Sequence, residues 1–501
     1  MRLLVVIPPL PGPPHWLASA KWYLREENHA APDSTPMPPH FAPAILGVVR
    51  QRLGEELEVK VLDGLLKPFT HQELVEVARD FRADAAFVLA GLDLLRHDCS
   101  FAALPCPSFV QITPVTVDPL EALERYELQG EYFIYGGETE ATLAEALWRL
   151  SRGQSLEDCP GLVINSAQGP VRTPAPPVSD MSSFALPAYD LFDIPAYLEH
   201  QRRIEPRRAY HDSALIKTMK GCLFSCTFCT CSSPGQHPRY KSPAQVVEEL
   251  KLLKQRYEVK RVVFIDPEFG VDVQRAKEIC RGMIREGLGM RFLICNRVEL
   301  IDEQLLELLR QAGCEKVRYG IETADPLVMA RINKKINLPR AADAIRRTRA
   351  AGLEVDLFFL VGLPGETDRT IYLNAKFIVA TQADNYSVGR LFLIPNTRLY
   401  EEMKAAGRIL EWDWERYRKA DTYQFHHEHY PDLASIDRAY RRLLNLINSR
   451  RLTTYRKGPL NQRLFLFIGA LPVFSLWLRY RAPRLHSLLR RLGRKLLRVP
   501  A

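Results

Sequence analysis

A chain of 501 residues is too long for one small binding module and has room for two to four domains at roughly 150 residues each. Apolar residues make up 47% and charged residues 25%, close to the globular average, which excludes disorder or a membrane-embedded class for the bulk of the chain. The net charge of +9 sits at one end: Arg438–Ala501 carries 16 Lys+Arg and no Asp or Glu, leaving 52 basic against 59 acidic side chains before it.

The chain opens on Arg2–Ile7, followed by Pro8 and Pro9. This apolar run is too short for the core of a secretory signal and reads as a buried first strand. Val59–Asp63, Asp84–Ala90, Ser108–Ile112 and Tyr132–Tyr135 read as further strands, with helices over about 43–53, 70–82 and 139–151. The alternation predicts an open, mainly parallel, Rossmann-like α/β sheet, which would bind ligands at the carboxyl ends of its strands. Pro105 and Pro107 leave little room for a full helix between Gly91 and Ser108. Gly161–Pro174 predicts a small hairpin, after which Pro174, Pro176, Pro177 and Pro187 mark an extended linker to about residue 208. The expected division is an α/β domain over 1–165, a linker over 166–208, a second α/β domain over 209–425 and a basic helical region over 426–501.

From Ala214 to Asn396 the strand and helix cadence repeats, with strands near 214–220, 261–266, 291–298, 316–322, 354–361 and 386–394. Ser242 before Pro243, Asp272 and Asp302 are plausible helix caps. Six such units predict a partial (β/α)6 barrel, in which chemistry belongs to the loops after the strands. After the first strand comes Gly221-Cys222-Leu223-Phe224-Ser225-Cys226-Thr227-Phe228-Cys229, a C-x3-C-x2-C spacing, while the other seven of ten cysteines lie outside this spacing. So few cysteines exclude a disulfide scaffold and point to a reducing, cytoplasmic setting. Three thiolates on one loop can hold three irons of a four-iron cluster and leave the fourth iron open. The competing reading is a structural zinc completed by Cys231 or His237.

This loop, placed after the first strand of a six-unit barrel, resembles the radical S-adenosylmethionine enzymes. With the N-terminal α/β domain and Tyr135-Gly136-Gly137-Glu138-Thr139-Glu140, the chain resembles the subgroup that carries a cobalamin-binding domain before the barrel. The resemblance implies a 4Fe–4S cluster on Cys222, Cys226 and Cys229, with the methionine end of S-adenosylmethionine chelating the open iron. It also implies cobalamin at the N-terminal strand ends, near Pro8, Pro9, Asp63, Gly136 and Gly137, and a low-potential electron donor such as ferredoxin or flavodoxin. In that chemistry an electron from the cluster breaks the sulfonium C–S bond, while the protein orients and shields.

The resemblance also gives the later loops roles. Phe228 matches an aromatic residue beside the adenine. Asp266 and Glu268 end the second strand, where the family accepts hydrogen bonds from the methionine ammonium, although a carboxylate there would also serve as a helix cap. Arg297, ending the third strand, is placed to pair with the methionine carboxylate. Glu322, in Gly320-Ile321-Glu322-Thr323, suits ribose hydroxyls or a cation. Gly362 and Pro364, in Leu360–Thr367, resemble the turn near the adenine, where glycine lets backbone approach a ligand. Ile394-Pro395-Asn396-Thr397 stands where proline-glycine-threonine is usual, so Asn396 must adopt a conformation that glycine reaches freely. His426-His427-Glu428-His429 reads as a solvated or substrate-facing loop, since consecutive histidines point in different directions.

In the tail, Leu485, Leu488, Leu489, Leu492 and Leu496 share one helical face and Arg490, Arg491, Arg494, Lys495 and Arg498 fill the rest. This is the pattern of a helix lying on an anionic membrane surface. Leu464–Leu478, with Pro472 inside it, falls short of the ~20 residues a spanning helix needs. The expectation is a cytoplasmic radical enzyme, peripheral on the inner face of the membrane. It would methylate, cyclise or rearrange a small apolar, lipid or tetrapyrrole-like substrate, like the methylases, tetrapyrrole ring cyclase and hopanoid-modifying enzymes it resembles. No nucleic-acid partner is expected. The alternatives are a tRNA-modifying radical enzyme, whose second cysteine triad Cys99, Cys106 and Cys159 do not reproduce, and a zinc-stabilised nucleic-acid-binding protein.

Overall fold

The computed structural model describes residues 1–9, 37–113, 117–204, 211–232, 237–416 and 423–456. The N-terminal sheet contains β1 (Arg2–Ile7), β2 (Glu58–Asp63), β3 (Ala85–Gly91), β4 (Ser108–Thr113) and β5 (Tyr132–Ile134), followed by β6 (Leu162–Ser166) and β7 (Gly169–Arg172). Their order is β2-β1-β3-β4-β5-β6-β7. The first five run parallel, while β6 and β7 form the expected hairpin and extend the same sheet antiparallel to β5. β3 and β4 are buried along their whole length, as strands covered on both faces must be. The chain reverses direction across the sheet between β1 and β3, the crevice where such folds bind ligands. The path from β3 to β4 holds a 3-10 turn, Leu92–Leu94, and one short α-helix, Leu95–Ser100, as its prolines require. From that helix the buried Asp98 accepts from Gly91 N at 2.9 Å.

The stretch read as a linker is more ordered than its prolines suggest. It ends in a helix, Ile194–Ile204, and Tyr189, Ile194 and Leu198 join the core shared by both sheets. The Tyr189 hydroxyl donates to Glu249 at 2.8 Å, and a Cβ on Gly47 would stand 2.4 Å from the Leu186 carbonyl. Apolar residues between the prolines thus bury the segment against the helix Phe41–Leu53 and the helix Pro243–Tyr257.

The second sheet comprises β8 (Ser213–Ile216), β11 (Arg261–Phe264), β12 (Arg291–Asn296), β13 (Cys314–Glu322), β14 (Glu354–Val361) and β15 (Asn385–Arg390), in the order β15-β14-β13-β12-β11-β8. Every neighbouring pair is parallel, which gives the open (β/α)6 arrangement. Ser242 and Gln245 form a reciprocal capping box, and Asp272 and Asp302 accept from Arg275 N and Leu305 N. The first strand is shorter than expected. It stops at Ile216, and Met219–Lys220 (β9) pairs instead with Arg239–Tyr240 (β10), antiparallel, at the base of the cysteine loop. The cause is Asp266, whose carboxylate takes the amides of Thr218 and Met219 out of the ladder.

Side chains alternate across this sheet. Ala214, Ile216, Val262, Phe264, Phe292 and Ile294 face the helices, whereas Leu215, Val263 and Leu293 form a separate apolar group with Met37 on the opposite face. The second face of the N-terminal sheet is covered in part by Leu393, Leu399, Trp414 and Phe425, which follow β15. Among the described residues no helix is long and apolar enough to cross a membrane. The Leu464–Leu478 stretch and the Leu485–Leu496 face lie outside the described residues.

Candidate active site

The cysteine loop is held from three sides at the carboxyl ends of the second sheet. Thr227 N donates to Ile332 O at 3.0 Å, Leu399 N donates to Thr227 O at 2.8 Å, and Asn333 Nδ2 donates to Ser225 O at 2.9 Å. Cys226 is buried and Cys222 and Cys229 are half-buried. Burial pushes the Cys222 thiol up to about 12, whereas hydrogen bonds from Cys231 hold Cys229 at about 6, the largest coming from its side chain. Cys231 therefore stands beside Cys229 as a donor. Among the described residues no three His, Cys, Asp or Glu side chains converge as ligands of one ion would. A four-iron cluster takes each thiolate on its own iron, and this donor set suits it.

Four charged groups face the loop. Arg297, 2% exposed, stacks over Phe224 with its guanidinium carbon 3.8 Å from the ring centre and donates through Nη2 to Lys334 O at 2.8 Å. It also pairs with Glu299 at 3.2 Å, but among the described residues its buried Nη1 has no partner. Glu268, 8% exposed, has a buried Oε2 without a partner among the described residues, and burial pushes its carboxyl up to about 8. Glu322 lies 3.5 Å from Lys334 Nζ. A bulge between Gly320 and Glu322 and a φ of 66° at Glu322 re-aim this side chain. A Cβ on Gly320 would lie 2.7 Å from Glu322 Oε1 and 3.2 Å from Lys334 Nζ, so the pair needs glycine there.

Lys334 is the residue that sequence reasoning missed. Burial alone would lower its pKa, yet the charges of Glu322, Cys226 and Glu268 hold it above the ordinary lysine value. Two adjacent lysines after a short helix carry no spacing signal. The mark of the site is conformational: Asn333 and Lys335 on either side both have positive φ, at 55° and 54°.

Asp266, expected at the methionine ammonium, is bonded within the chain. Its Oδ1 accepts from Thr218 N at 2.6 Å and Met219 N at 3.0 Å, and its Oδ2 accepts from the Thr218 hydroxyl. Arg275 completes the knot by donating to Thr218 O at 3.1 Å. This carboxylate sets the start of the cysteine loop, with three of its acceptor sites engaged by Thr218 and Met219.

Phe228 packs with Val328, Ile332, Leu360 and Leu363, so the loop aromatic meets the fifth-strand turn. Gly362 has a φ of 90° and borders a cleft lined by Val361, Leu391, Phe392, Phe425 and Ile436. Pro364 lies between Leu363, which joins that packing, and Gly365, whose amide is bound from outside the strand. Asn396 has the left-handed φ of 61° expected where glycine is usual.

In the histidine run, expected as a solvated or substrate-facing loop, His426, Glu428 and His429 are exposed, whereas His427 is built into this turn. His427 is buried and Nε2 lies 2.8 Å from Leu363 O, while Nδ1 accepts from His429 N and Tyr430 N at 3.0 and 3.2 Å. The ring therefore carries its proton on Nε2. Glu428 accepts from Gly365 N at 3.2 Å and pairs with Arg331 at 2.5 Å. The reason is burial: the turn has polar backbone atoms to satisfy, and this segment supplies partners.

Glu366 closes the turn. It is fully buried, its Oε1 accepts from Gly362 N at 3.1 Å and from the Tyr430 hydroxyl at 3.0 Å, and its Oε2 has no partner. Burial pushes its carboxyl up to about 8. The folded state therefore holds a proton that the unfolded chain releases near the ordinary carboxylate pKa, and its contribution to stability is lost as pH rises through about 8. Between about pH 6 and pH 9 the wild-type melting temperature should fall by several degrees more than that of Glu366→Gln, which keeps both acceptor contacts and cannot ionise. Parallel melting curves across that range would contradict this assignment.

At the N-terminal strand ends, Asp63 accepts from Leu65 N at 3.0 Å and from the Tyr197 hydroxyl at 2.6 Å. A Cβ on Gly136 would meet Pro176 at 2.7 Å, and Gly137 O accepts from Lys220 Nζ at 3.1 Å. Pro8 and Pro9 are buried. Asp63, Gly136 and Gly137 are thus bonded or packed within the chain. Residues 10–36 and 114–116, which follow β1 and β4, lie outside the described residues.

Residues 216–378 match the Radical SAM superfamily. The chain is 26% identical over 394 residues to an uncharacterized methyltransferase of Pyrococcus horikoshii, covering 76% of this chain and 82% of the relative. It is also 26% identical over 293 residues to the anaerobic magnesium-protoporphyrin IX monomethyl ester cyclase of Rubrivivax gelatinosus, covering 57% of this chain and about half, 51%, of that relative. Its fold is similar to that of the radical S-adenosylmethionine methyltransferase TsrM of Kitasatospora setae, solved with cobalamin and a 4Fe–4S cluster bound. The TM-score is 0.67 at 20% identity, over 89% of both chains.

Proposed function

We propose that this chain, a radical S-adenosylmethionine enzyme, transfers a methyl group to an apolar small molecule of lipid or tetrapyrrole type. One observation carries the reading. Beside the cysteine loop, a buried cation and a buried carboxyl each present an atom with no partner, Arg297 Nη1 and Glu268 Oε2. They match the carboxylate and ammonium of a methionine head group, because charge-assisted hydrogen bonds would satisfy both at once.

In this reading Cys222, Cys226 and Cys229 hold a 4Fe–4S cluster, which when bound supplies the electron that opens the sulfonium C–S bond. Burial favours the neutral form of Glu268 in the free protein, and an adjacent ammonium would favour its carboxylate. Arg297 is oriented for its partner by Phe224 and the Lys334 carbonyl. Glu322 and Lys334 present a paired acid and base for ribose hydroxyls, and Phe228 with Gly362 and Pro364 forms the wall for the adenine. Asp266 acts at one remove, by setting the loop. Glu322→Gln should leave the iron content unchanged and weaken S-adenosylmethionine binding about 10- to 100-fold, because a hydrogen bond to a charged group contributes about 1.5–3 kcal/mol. Unchanged binding, measured by equilibrium dialysis, would contradict the placement of the Glu322–Lys334 pair.

An apolar substrate is supported by Leu215, Val263, Leu293 and Met37 on the sheet face away from the helices. Methyl transfer is supported by the methyltransferase relative that spans most of the chain. We assign cobalamin on the fold likeness to a cobalamin-bound methyltransferase, and no step is routed through it. A low-potential donor such as ferredoxin or flavodoxin would reduce the cluster. The same reading divides the chain into an α/β domain (1–165), a linker (166–208), the radical domain (209–425) and a basic C-terminal region (426–501).

It also holds the enzyme in the cytoplasm, with that last region resting on an anionic membrane. Arg438, Arg441 and Arg442 on the helix Leu433–Arg456 begin the basic run. Flotation with anionic liposomes should recover the full chain and lose a truncation after Tyr455. The substrate class is tested by feeding methyl-labelled methionine to strains with and without the gene and comparing their lipid extracts by mass spectrometry. A labelled apolar product should appear only with the gene; identical extracts would contradict the reading.

A further inference from the structure

The turn Gly136–Glu140 was expected at a cofactor, yet its two acidic side chains reach the base of the cysteine loop. That base is the antiparallel pair β9 and β10, in which Lys220 stands opposite Arg239 and closes the loop that carries Cys222, Cys226 and Cys229. Lys220 Nζ pairs with Glu140 and also donates to Gly137 O at 3.1 Å. Arg239 Nη1 pairs with Glu138 Oε1 at 2.6 Å, and the other Glu138 oxygen accepts from Ser179 N at 3.3 Å. Both pairs are buried, with side-chain exposures of 10% and 6% in the first and 10% and 3% in the second. Each strand of the stem is thus held by one acid from the same turn of the N-terminal sheet.

Two buried ion pairs are a poor way to gain stability, because desolvation offsets most of the attraction. Their best-attested use is to fix one arrangement against others. The arrangement fixed here is the position of the stem relative to the N-terminal sheet. From the other side the loop is held by Asp266, Ile332, Asn333 and Leu399. Among the described residues Arg239 Nε and Nη2 have no partner, so loss of Glu138 would leave the buried cation without its acid and push the stem out of place.

We infer that Glu138 and Glu140 are positioning residues for the cysteine loop, locking the iron-binding loop and the N-terminal sheet into one unit. The inference rests on the reading that the loop holds a cluster. It makes the cluster sensitive to events at the N-terminal strand ends, since Glu138 stands at the N-cap of the helix Thr139–Ser151 that follows β5 and Glu140 lies in its first turn.

The test combines amide hydrogen exchange with electron paramagnetic resonance on the full chain, reconstituted with iron and sulfide under nitrogen. In the Glu138→Gln/Glu140→Gln protein, peptides covering 219–240 should exchange about tenfold faster or more, while the helix Val273–Arg285 keeps its wild-type rate. The reduced cluster should change from one set of g values to a mixture, and Lys220→Arg should keep the wild-type spectrum. If the double glutamine variant does not fold, Lys220→Met/Glu140→Gln, which removes both charges of one pair, carries the same expectations. Iron-loaded variants with wild-type exchange and spectra would overturn the clamp. Wild-type protein that binds no iron would instead overturn the cluster reading, and the exchange comparison would still decide whether the acids hold the stem.

Discussion

Replacing any one of Cys222, Cys226 and Cys229 with alanine is expected to abolish the cluster and reduce S-adenosylmethionine cleavage to background. Three thiolates leave one iron of a four-iron cube open for a ligand, and losing a second protein bond removes the anchor of the cube itself. Cys231→Ala should retain iron, because Cys231 donates to the Cys229 sulfur and in this account does not itself bind iron. The contrast is read by iron analysis and by chromatographic detection of 5′-deoxyadenosine or S-adenosylhomocysteine. A single variant of the three that keeps wild-type iron would contradict the assignment, as would loss of all iron from Cys231→Ala.

Asp266→Asn is expected to destabilise the protein by about 3–5 kcal/mol, the cost of breaking a buried charged network from one side. The asparagine carbonyl can keep Thr218 N and Met219 N, but its NH2 would stand where Oδ2 now accepts from the Thr218 hydroxyl. It would also remove the buried anion that Arg275 faces. Glu268→Gln should do the opposite, sparing stability and weakening S-adenosylmethionine binding, since Glu268 Oε2 serves no internal contact. Chemical denaturation and equilibrium binding on the two variants separate the roles. An Asp266→Asn protein of wild-type stability that binds the ligand poorly would return Asp266 to the ligand.

The two sheets were legible because their strands are apolar runs of the right length between turn residues, and the caps at Ser242, Asp272 and Asp302 behave as their side chains dictate. The cysteine spacing marked the loop, and Asn396 adopts the left-handed backbone that its replacement of glycine demanded. What remained hidden are pairings between distant segments. Asp266 and Glu268 sit two residues apart with the same charge, and only the fold shows that one is spent on Thr218 and Met219 while the other faces the cysteines. Lys334 draws its importance from Glu322, Cys226 and Glu268, none of them near it in sequence. His427 looked solvated among polar neighbours, yet it is buried against the fifth-strand turn and adds a second donor to Leu363 O, which also accepts from Glu366 N. Prolines disclosed an extended path through Pro187 but not the burial of Tyr189, Ile194 and Leu198 beyond it.

The central claim is that the cysteine loop holds a cluster with one iron open to S-adenosylmethionine. It is tested most directly by purifying the full chain under nitrogen, reconstituting it, and recording metal content and electron paramagnetic resonance after reduction, with and without S-adenosylmethionine. The account predicts about four irons per chain and a signal whose g values move when S-adenosylmethionine is added. One zinc per chain without iron, or an iron signal indifferent to S-adenosylmethionine, would contradict it.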